Sequence, residues 1–187
     1  MKALKILSMF CFSLLAIACN NGQSLQEYYV SNQENNDFVA VDIPASMFAN
    51  AGSLEPEQQK TLESIKKINV LAIPIKAENK EITETEKNKI SEILKDEKYQ
   101  LLMKYGGSNT RLEVYYTGDE EAVDEIIVYG FDENRGMGMA RILGDNMNPS
   151  DILELIKSLE KGDIDMDGLK EITTMFTGKQ VSKQKNL

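Results

Sequence analysis

The chain has no histidine and no tryptophan. Without imidazole, Ser-His-Asp and Cys-His catalysis are excluded, as are histidine-bearing zinc sites and the usual general base. Cysteine is nearly absent too. The only two, Cys11 and Cys19, lie near the N-terminus, so the body of the chain has neither a disulfide nor thiol chemistry. Basic residues are outnumbered, 21 Lys and Arg against 30 Asp and Glu, for a formal charge of -9. Such a surface does not suit nucleic acid or anionic headgroups, both of which attract Lys and Arg. Long apolar runs are missing as well. The one continuous stretch, from Ile6 to Ile17, falls short of the roughly 20 residues that span a bilayer.

That short run has a recognisable setting. Lys2 and Lys5 precede it, and Ala16, Ile17 and Ala18, small or aliphatic, lead up to Cys19. This is the layout of a secretory signal peptide. The ending LLAIAC resembles a bacterial lipobox, in which the cysteine thiol receives a diacylglycerol and becomes the first residue after cleavage. Ala16 stands where leucine is usual, with Leu14 and Leu15 just upstream. The expectation is a signal peptide over residues 1–18 and a lipidated Cys19. Several acyl chains anchor stably without help from a basic patch. No Asp or acidic run follows Cys19, which points to the outer membrane facing the periplasm.

Residues 19–36 are polar and rich in Asn and Gln and read as a flexible tether with at most a short helical turn. Residues 37–177 read as one domain, and 178–187 as a disordered tail. Alternation from Phe38 to Ile43, closed by Pro44, predicts a strand. Pro56 with Leu62, Ile65 and Ile68 predicts a helix over 54–68, and NVLAIP predicts a strand over 69–74. A Thr83/Glu86 capping box and the stripe Ile90, Ile93, Leu94, Leu101, Leu102 and Tyr105 predict a long helix over 83–105, closed by Gly106 and Gly107. Three strands follow, with turns at Gly118–Asp119 and at 132–136. A last helix spans 149–159, with Asn148 as its N-cap. The expected fold class is α+β: a two-layer sandwich, a mainly antiparallel sheet with helices on one face, in the order β-α-β-α-β-β-β-α.

Asp163, Asp165, Asp167 and Gly168 imitate the start of a calcium loop. Position 8 is Lys170, and position 12, where a bidentate Glu belongs, is Thr174. Asp167 followed by GLKEITTMF repeats the Asx-capped form of Asn148-Pro149, so these acids read as turn and cap residues rather than a metal site. GMGMAR at 136–141 lacks the third glycine of a dinucleotide fingerprint and sits in a hairpin. Met137 and Met139 read as core fillers. Of Tyr115 and Tyr116, one ring is expected in the core and the other on an exposed face. The acids at Asp119–Glu121 and Asp124–Glu125 could supply a carboxylate pair for glycoside hydrolysis, but read as a solvated turn. No nucleophile, base and orienting group are visible together.

With LESIKKINVLAI at 62–73, LLMKYGG at 101–107 and ILGDNMNPSDILELI at 142–156, the chain resembles the small envelope lipoproteins of Bacteroidota grouped as a domain of unknown function. That resemblance implies a single α+β domain from about Phe38 to Met175 and brings no catalytic residues with it. It also implies that Gly-Asp before an Asx-capped helix is a structural ending. The expectation is a lipid-anchored, non-enzymatic envelope protein with no cofactor. It would be held to the membrane by Cys19 and bind an unidentified protein or small molecule on an exposed sheet face. A regulatory part of an envelope-stress or sigma-factor circuit is the alternative; a carboxylate hydrolase and a calcium binder stand behind it.

Overall fold

The computed structural model describes residues 22–48, 54–76 and 79–160. Cys19, the residues before it, the Asp163–Asp167 stretch and the expected tail lie outside the described residues. Four helices and six strands are described: α1 (Leu25–Asn32), β1 (Val39–Pro44), α2 (Pro56–Ser64), β2 (Ile65–Pro74), α3 (Lys80–Ile93), β3 (Gln100–Gly106), β4 (Thr110–Asp119), β5 (Ala122–Asp132), β6 (Gly136–Met147) and α4 (Pro149–Glu160). The strands form one sheet in the order β1-β2-β6-β5-β4-β3, and every neighbouring pair is antiparallel. The class is α+β.

Side chains alternate across the sheet, and the register sorts them into two cores. Toward one face point Leu71, Ile73, Ile127, Tyr129, Met137 and Met139, which pack with Leu25, Tyr28 and Tyr29 of α1 and Ile90 and Ile93 of α3. Toward the other point Val114, Tyr116, Ile126 and Ile142, which pack with Ile152 and Leu155 of α4 and Leu62 of α2. Helices therefore cover both faces, and the expected two-layer arrangement with helices on one face is corrected to three layers. Both strand faces carry apolar residues along β5 and β6, so each face needs its own cover.

Three boundaries depart from expectation. The stretch expected as a tether holds α1, whose Leu25, Tyr28 and Tyr29 are buried. Ser24 and Glu27 cap it reciprocally, and the Leu25 amide donates to the Tyr99 hydroxyl at 3.0 Å. Helix α2 ends at Ser64, and Ile65 and Ile68 belong to β2. The long helix expected over 83–105 is two elements. Helix α3 ends at Ile93, and a turn follows in which the Asp96 side chain accepts from the Lys98 amide and its carbonyl from the Tyr99 amide. Residues Gln100–Gly106 then pair with β4. Thr83 and Glu86 are no capping box: Thr83 donates to the Asn79 carbonyl inside the helix, and Glu86 is buried where it accepts the Tyr28 hydroxyl at 2.8 Å.

The other elements lie where sequence placed them. Asn148 Oδ1 caps α4, accepting from the Ser150 amide at 2.9 Å. Met137 and Met139 fill the core. Tyr116 is buried as expected, but Tyr115, expected on an exposed face, is half-buried against the core under α1 and α3.

Candidate functional site

On the face shared with α2 and α4, the residues form three rows running across all six strands. The row nearest the Gly118–Ala122 turn is Ile43, Ile68, Ile142, Ile126 and Tyr116, ending at Gln100, whose side chain accepts the Tyr116 hydroxyl at 2.8 Å. Of these, Ile68, Ile142, Ile126 and Tyr116 lie in the core that α2 and α4 share. The next row is Val41, Val70, Ala140, Val128, Val114 and Met103. The last is Val39, Ala72, Gly138, Gly130, Leu112 and Tyr105. On the three central strands β2, β5 and β6 the side chains shrink toward the far end, from isoleucine to alanine or glycine, and no described helix lies on that end.

The result is a hollow of about 310 Å³. Ala72, Gly130 and Gly138 line it without long side chains, Leu112 stands beside them, and Pro74, Asp132 and Arg135 are at its rim. The rim is rigid. Asp132 accepts from the Asn134 amide at 2.9 Å, from the Arg135 amide at 3.1 Å and from the Thr110 hydroxyl at 3.1 Å. These bonds, the Asn134 amide first, hold its carboxyl below the usual value. Gly136 closes the turn at φ 111°, and a Cβ there would lie 2.0 Å from the Ile73 carbonyl oxygen. Any other residue would break the register that forms the rim. Apolar floor, open mouth and one exposed guanidinium make a place for an apolar group, with an acidic or polar tail reaching Arg135.

The opposite face is closed by α1 and α3, and polar groups lie beneath the helices. Arg141 is buried, and its guanidinium donates to Glu125 and to Gln26 of α1. Asp42 accepts from Tyr29 of α1 and from Asn69. Glu113, also buried, receives the Tyr115 hydroxyl at 2.9 Å and faces Lys104 at 3.0 Å and Arg111 at 3.8 Å. Burial pushes the Tyr29, Tyr115 and Tyr129 hydroxyls up to about 12.

The sequence candidates fare unequally. Asp119, Glu120, Glu121 and Asp124 are exposed at the β4–β5 turn, and Glu125 is bound to Arg141, so they do not converge on a cleft. Among the described residues no group of three acids or cysteines is placed to hold a metal ion. No described helix is long and apolar enough to cross a membrane. Gly138 of GMGMAR belongs to no phosphate loop but lines the hollow. Gly130 and Gly138 were open to recognition as lone glycines inside strand patterns, a sign of a bend or a close approach of backbone or ligand. Their position opposite each other emerges only from the register.

Fold and hollow together define a three-layer α+β domain with an apolar sheet end that no described helix covers. The chain belongs to the family described as Domain of unknown function (DUF4252), which matches residues 28–155, from within α1 to within α4. No curated protein and no solved structure matches it.

Proposed function

We propose that this protein is a lipid-anchored, non-enzymatic binding module of a bacterial cell envelope, held to the membrane through Cys19. It works by offering the sheet end that no described helix covers to a small molecule or a protein segment. The hollow over Ala72, Gly130 and Gly138 carries this reading: its floor is apolar, its mouth is open, and the turn that bears Asp132 and Arg135 frames it rigidly. The path of the chain supports it. Gly22 and Gln23 line a second hollow with Lys89, Glu92, Lys95 and Asp96, at the end of the domain where β3 begins. Three residues from Cys19 to Gly22 reach about 10 Å at most. The start of β3 lies opposite Tyr116, and the stretch of β4 from Tyr116 to Thr110 separates that end from the Asp132–Gly136 turn by roughly 20 Å. An anchored chain would thus hold the hollow away from the bilayer, toward the aqueous space.

Two measurements test the two halves separately. Intact mass of protein purified from membranes of its host should show a chain beginning at Cys19 with added acyl mass; an unmodified chain would overturn the anchor. An anionic naphthalene dye should bind the folded protein saturably at one site. A Gly138→Leu variant should lose that site while keeping its circular dichroism, because a Cβ there meets only ordinary contacts, at 3.5 Å from Ala72. Equal binding by the variant would reject the hollow.

A further inference from the structure

All seven residues of β3 are exposed, and Leu101, Leu102, Met103 and Tyr105 are among the few large apolar side chains open to solvent, at 40% to 72%. The other edge of the sheet is different. There β1 is mostly half-buried, its Asp42 is engaged by Tyr29 and Asn69, and it ends at Pro44. Among the described residues no strand pairs with the outer side of β3, and such an apolar edge presents a row of amides and carbonyls on which another strand can be added.

We infer that β3 receives an extended segment of another protein by strand addition, with apolar side chains toward Met103 and Tyr105 and a carboxylate opposite Lys104. This rests on the binding-module reading and names the partner class for the edge beside the same face. The charge pattern selects the occupant. Lys104 and Arg111 share the single buried carboxylate of Glu113, which leaves one positive charge in excess at this edge. The chain as a whole carries -9. A second copy would bring another Lys104 and Arg111 to the same line, and its own -9 besides, so like charges oppose self-pairing. A bilayer would cover the apolar side chains but leave the edge amides and carbonyls unsatisfied. A partner strand alternating apolar and acidic residues satisfies both. The bulge between Leu101 and Met103 ends the straight part of β3, so the added strand is short and runs beside Met103–Gly106. On the apolar side it continues the row Tyr105, Leu112, Gly130 into the hollow.

The test is hydrogen–deuterium exchange by mass spectrometry on the full protein in detergent, with two capped peptides as probes: one alternates Val and Asp, the other Val and Lys. The Val/Asp peptide should slow exchange over Met103–Gly106, with a preference of roughly fivefold over Val/Lys, the upper range for one cross-strand charge pair. Lys104→Glu, at an exposed position, should reverse the preference. No protection of β3 by either peptide, or equal protection by both, would overturn the inference. So would protection that appears on raising the protein concentration alone, since that is self-pairing. Neither the dye at the hollow nor the mass of the anchor enters this result, so the three readings fail independently.

Discussion

Arg141 shows how a single side chain ties layers together. It lies in the middle of the sheet on β6, is buried, and holds Glu125 of β5 and Gln26 of α1 at once. Removing one partner of a buried ion pair leaves the other charge uncompensated, whereas replacing both with apolar groups is often tolerated. Arg141→Met should therefore cost about 3–5 kcal/mol in urea unfolding. The double variant Arg141→Met with Glu125→Met should recover most of that loss. A double variant as unstable as the sum of two singles would show that the pair is not what holds α1. Tyr28 makes a smaller version of the same case, since its hydroxyl serves the buried Glu86 carboxylate, which Lys89 also contacts at 2.5 Å. Tyr28→Phe should cost about 1–3 kcal/mol, because a buried acceptor loses a donor. Neither partnership was legible beforehand. Arg141 and Gln26 are 115 residues apart, and periodicity reports which face a residue occupies, not what it meets across the core.

At the level of elements, the features that follow expectation are the purely local ones. The Asn148 cap, the Pro44 stop and the Asp132–Gly136 turn need only their neighbours, and all are present. Expectation failed where pairing overrides propensity. Gln100–Gly106 contains Leu, Met and Lys, good helix formers, and no β-branched residue, so it continued the stripe of α3 on paper. In the folded chain β4 offers it a ladder, and tertiary pairing outweighs a weak intrinsic preference. The break at 95–99 carries neither Gly nor Pro, and only the Asp96 turn marks it. Helix α1 is hidden in the sequence for the opposite reason. Its polar face dominates an Asn- and Gln-rich stretch, while three residues, Leu25, Tyr28 and Tyr29, do the packing. If α1 is part of the domain, Leu25→Ala should lower stability by about 2–5 kcal/mol, as for other buried leucines. A loss below about half a kcal/mol, typical of surface positions, would return this stretch to the role of tether.

The whole molecule has one collective property set by its burial pattern, a sensitivity to base. Tyr29, Tyr115 and Tyr129 have hydroxyls pushed from 10.0 up to about 12, chiefly because burial disfavours the phenolate. The hydrogen bond of Tyr29 to Asp42 and that of Tyr115 to Glu113 add to the effect. Tyr28 is raised as well, first by burial and then by Glu86. All four lie on the face closed by α1 and α3. Above pH 10 the unfolded chain gives up these protons while the folded chain keeps them, so the native state binds more protons and stability falls as pH rises. The contribution is complete below pH 10 and is lost as pH climbs through about 12. The urea midpoint should therefore hold steady up to pH 10 and then drop, and ultraviolet titration should show the buried tyrosines ionising late and together with unfolding. Tyr129→Phe should soften the drop, because one of the groups that must ionise is gone. None of these four tyrosines lies on the sheet end that no described helix covers. Binding at the hollow should then survive unchanged up to the pH at which the opposite core ionises, and vanish with it. A hollow lost well before the tyrosines titrate would mean that the two faces of the sheet unfold separately.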